Sequence, residues 1–236
     1  MPASPSASSH PDQDAPAERN TVLLLVIGGL AAISAVIAAL VIFSSGEAPA
    51  EKPESAAPVQ AGEQSLIVGR GAAPTKVVVY EDFASAASRE FEIASRDFLR
   101  IEAARGSVQV EYRPFVATSG GYSSEAMQAW GGVLAAGTPK QALAFHDVLF
   151  DRQPESDSPT PSELVTWAQD KGIDDEQVFA AMAKQDAGLV ESANAAAREA
   201  GVGRPPLVLL DGAPLEAATP IDLADALQRQ VLAAER

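Results

Sequence analysis

Val77-Val-Val-Tyr-Glu-Asp-Phe-Ala-Ser-Ala-Ala-Ser-Arg-Glu-Phe-Glu92 joins two different patterns with almost nothing between them. The β-branched run from Lys76 to Tyr80 suits a strand buried on both faces. After Ser85, the residues Phe91, Ala94, Phe98, Leu99 and Ile101 recur at helical spacing, which predicts a helix with a core-facing stripe. Gly106 marks its stop. The stretch is a strand feeding the N-terminus of a helix. Ser85 falls at the capping position, a role worth about 1 kcal/mol. Glu81 and Asp82 are neighbours at the strand end, and adjacent strand residues point to opposite faces, so they are not expected to share a site.

Downstream, Ser107-Val-Gln-Val-Glu-Tyr-Arg113 alternates apolar and polar residues, as a strand covered on one face does, and Pro114 limits further pairing. The helix between the two strands predicts a parallel, right-handed crossover. Upstream, Ser65-Leu-Ile-Val68 is a short strand candidate. Three later helices open with one device: Thr138-Pro139 with Gln141, Thr160-Pro161 with Glu163, and Thr219-Pro220 with Asp222. Each supplies a capping threonine, a proline at the first helical position and an acceptor at N3. Asp174 with Gln177 is a weaker fourth. Helices are predicted over 123–136, 139–151, 161–171, 175–184 and 187–200. Leu207-Val-Leu-Leu210 then reads as a buried strand, Asp211-Gly212 as a hairpin turn, and 219–235 as a closing helix. That order predicts an α/β sheet with a helical insertion at about 120–200.

The composition excludes several classes of function. Net charge is −15 over 236 residues, so no basic face is available for nucleic acid. There is no cysteine, which removes disulfides, thiolate metal sites and dithiol chemistry from the chain itself. His10 and His146 are the only histidines, a poor set for zinc. The reading calls for no metal and no cofactor.

Residues 1–20 are rich in Pro, Ser, Ala and Asp and read as a disordered cytoplasmic tail. Residues 21–43 form an apolar run long enough to span a bilayer, which takes roughly 20 residues. A cleavable signal peptide is the competing reading, helped by Ala48-Pro-Ala50, but signal cores run about 7–15 residues behind a positive leader. The expectation is an uncleaved, single-pass signal anchor in the cytoplasmic membrane, with the C-terminal domain outside the cytoplasm. Residues 44–64 are Pro-, Ala-, Glu- and Ser-rich and read as a flexible linker, leaving 65–236 as the folded domain.

The stretch around Ser85 resembles the active-site segment of DsbA-like thioredoxin-fold proteins, Val-x-Val-Tyr-Glu-Asp-Phe-x-Cys-Pro-x-Cys-x-x-Phe-Glu, with Ser85 and Ser88 at the two cysteine positions. Further motifs follow in the family's order. Arg113-Pro-Phe115 is similar to its Arg-Pro-Phe step, and Phe145-His-Asp-Val-Leu-Phe150 before Pro154-Glu155 to its insertion helix. Gly201-Val-Gly-Arg-Pro-Pro-Leu-Val-Leu-Leu-Asp-Gly212 resembles its cis-proline loop, with Pro206 in the proline's place and Pro205 before it. The resemblance implies a thioredoxin-like fold with a helical insertion, preceded here by one transmembrane helix.

Departures from the family bear on function. A serine hydroxyl is far less acidic than a thiol and needs an adjacent base to attack anything. No histidine is close in sequence, and His146, beside Phe145 and Leu149, is expected as a packed boundary histidine. Pro205 removes an N–H donor that the family offers to an extended substrate. The reading favoured is a redox-inactive, membrane-anchored binding or scaffold module for unidentified envelope proteins, and not an enzyme. A second is a glutathione transferase or isomerase resembling the kappa class, with the Ser85 hydroxyl facing the thiolate of glutathione. Fold similarity alone would give a third, thiol–disulfide exchange, which a chain without cysteine cannot perform by itself.

Overall fold

The computed structural model describes residues 56–117, 120–155 and 157–234. The tail, the apolar run at 21–43 and most of the linker lie outside them. Among the described residues, no helix is long and apolar enough to cross a membrane.

The elements run β1 (Val59–Ala61), β2 (Leu66–Val68), β3 (Thr75–Glu81), α1 (Ala86–Arg105), β4 (Val108–Pro114), α2 (Gly121–Ala136), α3 (Pro139–Asp151), α4 (Pro161–Gln169), α5 (Glu176–Met182), α6 (Ala187–Glu199), β5 (Leu207–Leu210), β6 (Ala213–Pro214) and α7 (Pro220–Ala234). Six strands make one sheet in the order β1-β2-β4-β3-β5-β6. Only β3 and β4 pair in parallel, with Val77 opposite Val110 and Val79 opposite Tyr112. β5 adds to the other side of β3 antiparallel. Val77 and Val79 are buried, as a central strand requires. The β5–β6 turn has Asp211 and Gly212 both at positive φ, the conformation a two-residue hairpin of this hand demands.

One boundary and one face differ from the sequence reading. Val59–Ala61, placed in the linker, is a strand that pairs antiparallel with β2. A three-residue edge strand with one half-buried valine carries no periodicity to detect, and Pro58 is tolerated at its outer end. The folded domain therefore starts before residue 65. On α1 the buried residues are Ser88, Phe91, Glu92, Ser95, Leu99, Glu102 and Ala103, whereas Ile93, Ala94 and Ile101 are exposed. The face is rotated toward two glutamates because each finds a cation there: Glu92 pairs with Arg96 and Glu102 with Arg105. Burying a charge is tolerable only when it is paired in this way.

The insertion is the helical layer α2–α6. Its centre is Trp130, fully buried, with Nε1–H donating to the Ala142 carbonyl at 3.2 Å. Thr138 and Thr160 form capping boxes with Gln141 and Glu163, and Thr219 accepts from the Asp222 N–H at 3.0 Å. On α5 the cap is Asp175 and not Asp174; its carboxylate accepts from the Gln177 N–H at 2.8 Å.

Candidate functional site

The β3–α1 turn is held by hydrogen bonds from several elements. Ser85 caps α1, its Oγ accepting the Ser88 N–H at 3.1 Å. Ser88 is fully buried, and its Oγ accepts the Asp82 N–H at 3.3 Å. The Asp82 carboxylate is itself buried and gathers three donors: the Ala84 N–H at 2.8 Å, the Ser123 hydroxyl at 2.7 Å and the Ala117 N–H at 2.8 Å. The Gln153 side-chain amide donates to the Phe83 and Ser85 carbonyls, tying the turn to the segment after α3. Asp82 and Gln153 thus fix the turn to the insertion.

Ser85, Pro205 and Pro206 line one open groove of about 1000 Å³, together with Ala87, Arg204 and Thr219. The Pro205–Pro206 peptide is cis. Ser88 lies beneath the turn and does not reach the groove. Among the described residues, the hydrogen-bond partner of the Ser85 hydroxyl is the Ser88 N–H, and no side-chain base touches it. That leaves nucleophilic chemistry at Ser85 without a proton acceptor.

Glu81 points away from Asp82, as strand alternation predicts, and meets His146. The His146 Nε2 lies 2.5 Å from Glu81 Oε1, and both residues are fully buried. His146 is therefore a core residue and not a boundary one, packed against Phe83, Tyr112 and Phe150. Burial disfavours charge on the imidazole, but the Glu81 carboxylate at Nε2 and Asp147, 3.5 Å from Nδ1, outweigh it and hold its pKa up at about 10. Burial pushes the Glu81 carboxyl up as well, against the pull of His146. Burial also works against the Asp147 carboxylate, yet His146 and Arg100 beside it bring its pKa down to about 2. Arg96 adds a bidentate pair with Glu92 at 2.6 and 2.5 Å and a contact to Asp151.

Glu92, His146 and Asp147 bring potential ligand atoms within 4.8 Å of one another. Both carboxylates already bind guanidinium groups, so the cluster is neutralised by Arg96 and Arg100 without a cation. It is an ion-pair network joining α1 to α3 beneath the turn. Sequence reasoning missed it because Glu81 and His146 stand 65 residues apart. The available signal was chemical: a histidine on an apolar helix face needs a buried partner.

A thioredoxin family model matches residues 61–229. No sequence among the curated proteins matches the chain. Among solved structures, the chain is similar to MdbA, a thiol-disulfide oxidoreductase from Actinomyces oris, at 21% identity and TM-score 0.60, covering 72% of this chain and 88% of that one. BdbD from Bacillus subtilis gives 21% and 0.59, with 76% and 99% covered. DsbA from Mycobacterium tuberculosis gives 22% and 0.57, with 75% and 92% covered. At such identities the likeness carries the fold: a β3–α1–β4 unit, a helical insertion, then a hairpin and a closing helix. With the family model spanning most of the domain, this chain belongs to the thioredoxin family, its fold is DsbA-like, and it has no cysteine.

Proposed function

We propose that the chain is a membrane-anchored, extracytoplasmic DsbA-like module that binds extended protein segments in the Ser85–Pro206 groove without redox chemistry. One observation carries the reading. An open groove persists beside a turn whose two serines serve the fold: Ser85 Oγ caps α1 and Ser88 Oγ is buried beneath it. The anchor is residues 21–43, on the strength of their length and apolarity. Pro205 offers no N–H, so a bound segment is held more by side-chain contact with Leu215, Pro220 and Leu223 than by strand pairing.

Binding is tested with a reduced, carboxymethylated unfolded protein and the full chain in detergent. Ala87→Trp, which fills the groove, is expected to weaken binding about tenfold or more, since the occupant loses its apolar contacts. Equal affinity for wild type and Ala87→Trp would remove the groove from the reading. Retention of the wild type on immobilised glutathione, lost in Ser85→Ala, would favour the transferase reading instead.

The site assignment and the topology are tested together by Ser85→Cys/Ser88→Cys. The two side chains lie one helical turn apart at the start of α1, a spacing that suits a disulfide. Mild oxidant should close it. In the reduced form the first thiol should titrate below the usual value of about 8.5, because the helix N-terminus favours the thiolate. A membrane-impermeant maleimide should label it in intact spheroplasts, with the cysteine-free wild type as a blank. Labelling only after lysis would reverse the topology, and an unperturbed thiol that forms no disulfide would detach these serines from the old site.

A further inference from the structure

A second concavity lies on the insertion and shares no lining residue with the groove. It is a slot of about 160 Å³, formed by Glu125 and Ala129 of α2, Pro161, Leu164 and Val165 of α4, and Met182 at the end of α5. Small-molecule pockets take roughly 300–1,000 Å³. This one holds a single side chain.

Its chemistry is uneven. The lining is mostly apolar, with Gln128 and Gln185 beside Glu125, whose Oε2 is shut away from solvent with no hydrogen-bond donor. An acceptor left so is a standing cost that an incoming donor relieves. Glu125 is the charged residue of the lining, and the chain as a whole carries a net charge of −15. The slot therefore asks for an apolar stem ending in a cation.

We propose that this slot docks a basic, apolar segment of a partner protein by taking in one lysine side chain. The four-carbon stem lies along Leu164, Val165 and Met182, as lysine stems do on apolar surface. The ammonium, three donors and no acceptor, meets the Glu125 carboxylate in the wall of the slot. The net charge of −15 favours the approach of such a segment and disfavours acidic ones.

The probe is a fluorescent peptide of alternating leucine and lysine, with leucine–glutamine and leucine–glutamate counterparts, titrated against the full chain in detergent at physiological salt. The lysine peptide alone should bind. Glu125→Gln should weaken it about tenfold or more, whereas Glu163→Gln, which removes an exposed charge and keeps the cap acceptor, should change it less than about twofold. Ala183→Trp, at the slot's edge, should block it, with thermal melts reporting that each variant is folded. The proposal is overturned if the lysine peptide fails to bind, if the glutamine peptide binds as well, or if Glu125→Gln and Glu163→Gln weaken binding alike. Because the slot and groove are separate, loss here leaves the groove reading intact.

Discussion

Replacing His146 by alanine lowers the unfolding free energy of the domain by about 3–5 kcal/mol, the usual result of leaving one member of a buried ion pair alone. Glu81 would then be buried without its partner, and the cavity left among Phe83, Tyr112 and Phe150, which pack on the imidazole, adds to the loss. The pair also leaves a signature in pH. His146 has its folded pKa raised to about 10 from an ordinary 6.5, so its contribution is complete below pH 6.5 and is lost as pH rises toward 10. Asp147, lowered to about 2 from 3.8, contributes above pH 3.8 and loses its share as pH falls toward 2. Urea unfolding of the wild type should therefore show stability declining from about pH 6.5 upward. In Glu81→Gln the carboxylate at Nε2 is gone and Asp147 alone faces the imidazole, so that alkaline limb should become shallower. Parallel limbs in wild type and Glu81→Gln would mean that His146 is neutral in the folded chain.

The second large effect belongs to a glycine. A methyl on Gly132 of α2 would fall 2.5 Å from the Ala181 carbonyl carbon and the Met182 Cα, both backbone atoms of α5. Backbone cannot step aside as a side chain can, so Gly132→Ala forces the two helices apart. We expect a loss of about 1–3 kcal/mol despite the better helix propensity of alanine. The neighbouring Gly131 supplies the control. There the added carbon meets Leu189 Cδ2, the end of a flexible side chain, and rotation of that leucine offsets much of the cost. Thermal unfolding of the two single variants separates the cases. Equal losses would show that helix packing at this crossing is softer than the geometry indicates.

The sequence carried the strand–helix unit and the helix starts because those signals are local. Thr138 and Thr160 announce their helices within four residues, each with its own proline and acceptor. Asp174 and Asp175 show the limit of that logic, since both can cap and only the backbone decides between them. Along α1 the pattern of apolar residues pointed at Ile101, while the fold buries Glu92 and Glu102. No count of apolar side chains predicts that, because the reason is a set of arginine partners on the same helix. At the site, Ser85 as a cap could be read from its position before the helix. The Ser123 hydroxyl on Asp82, 41 residues away, could not. Partners at such separations are products of the tertiary fold, and a single sequence names the residue without naming what it meets.

The bonds that Asp82 gathers have one more consequence. In a dithiol enzyme the same turn exists in two covalent forms, and oxidants and reductants move it between them. Here the turn is closed by amide and hydroxyl donors to a carboxylate, which have no second form to visit. The surface beside the groove keeps one shape whatever the electron supply around it, so anything that recognises that shape is indifferent to redox stress.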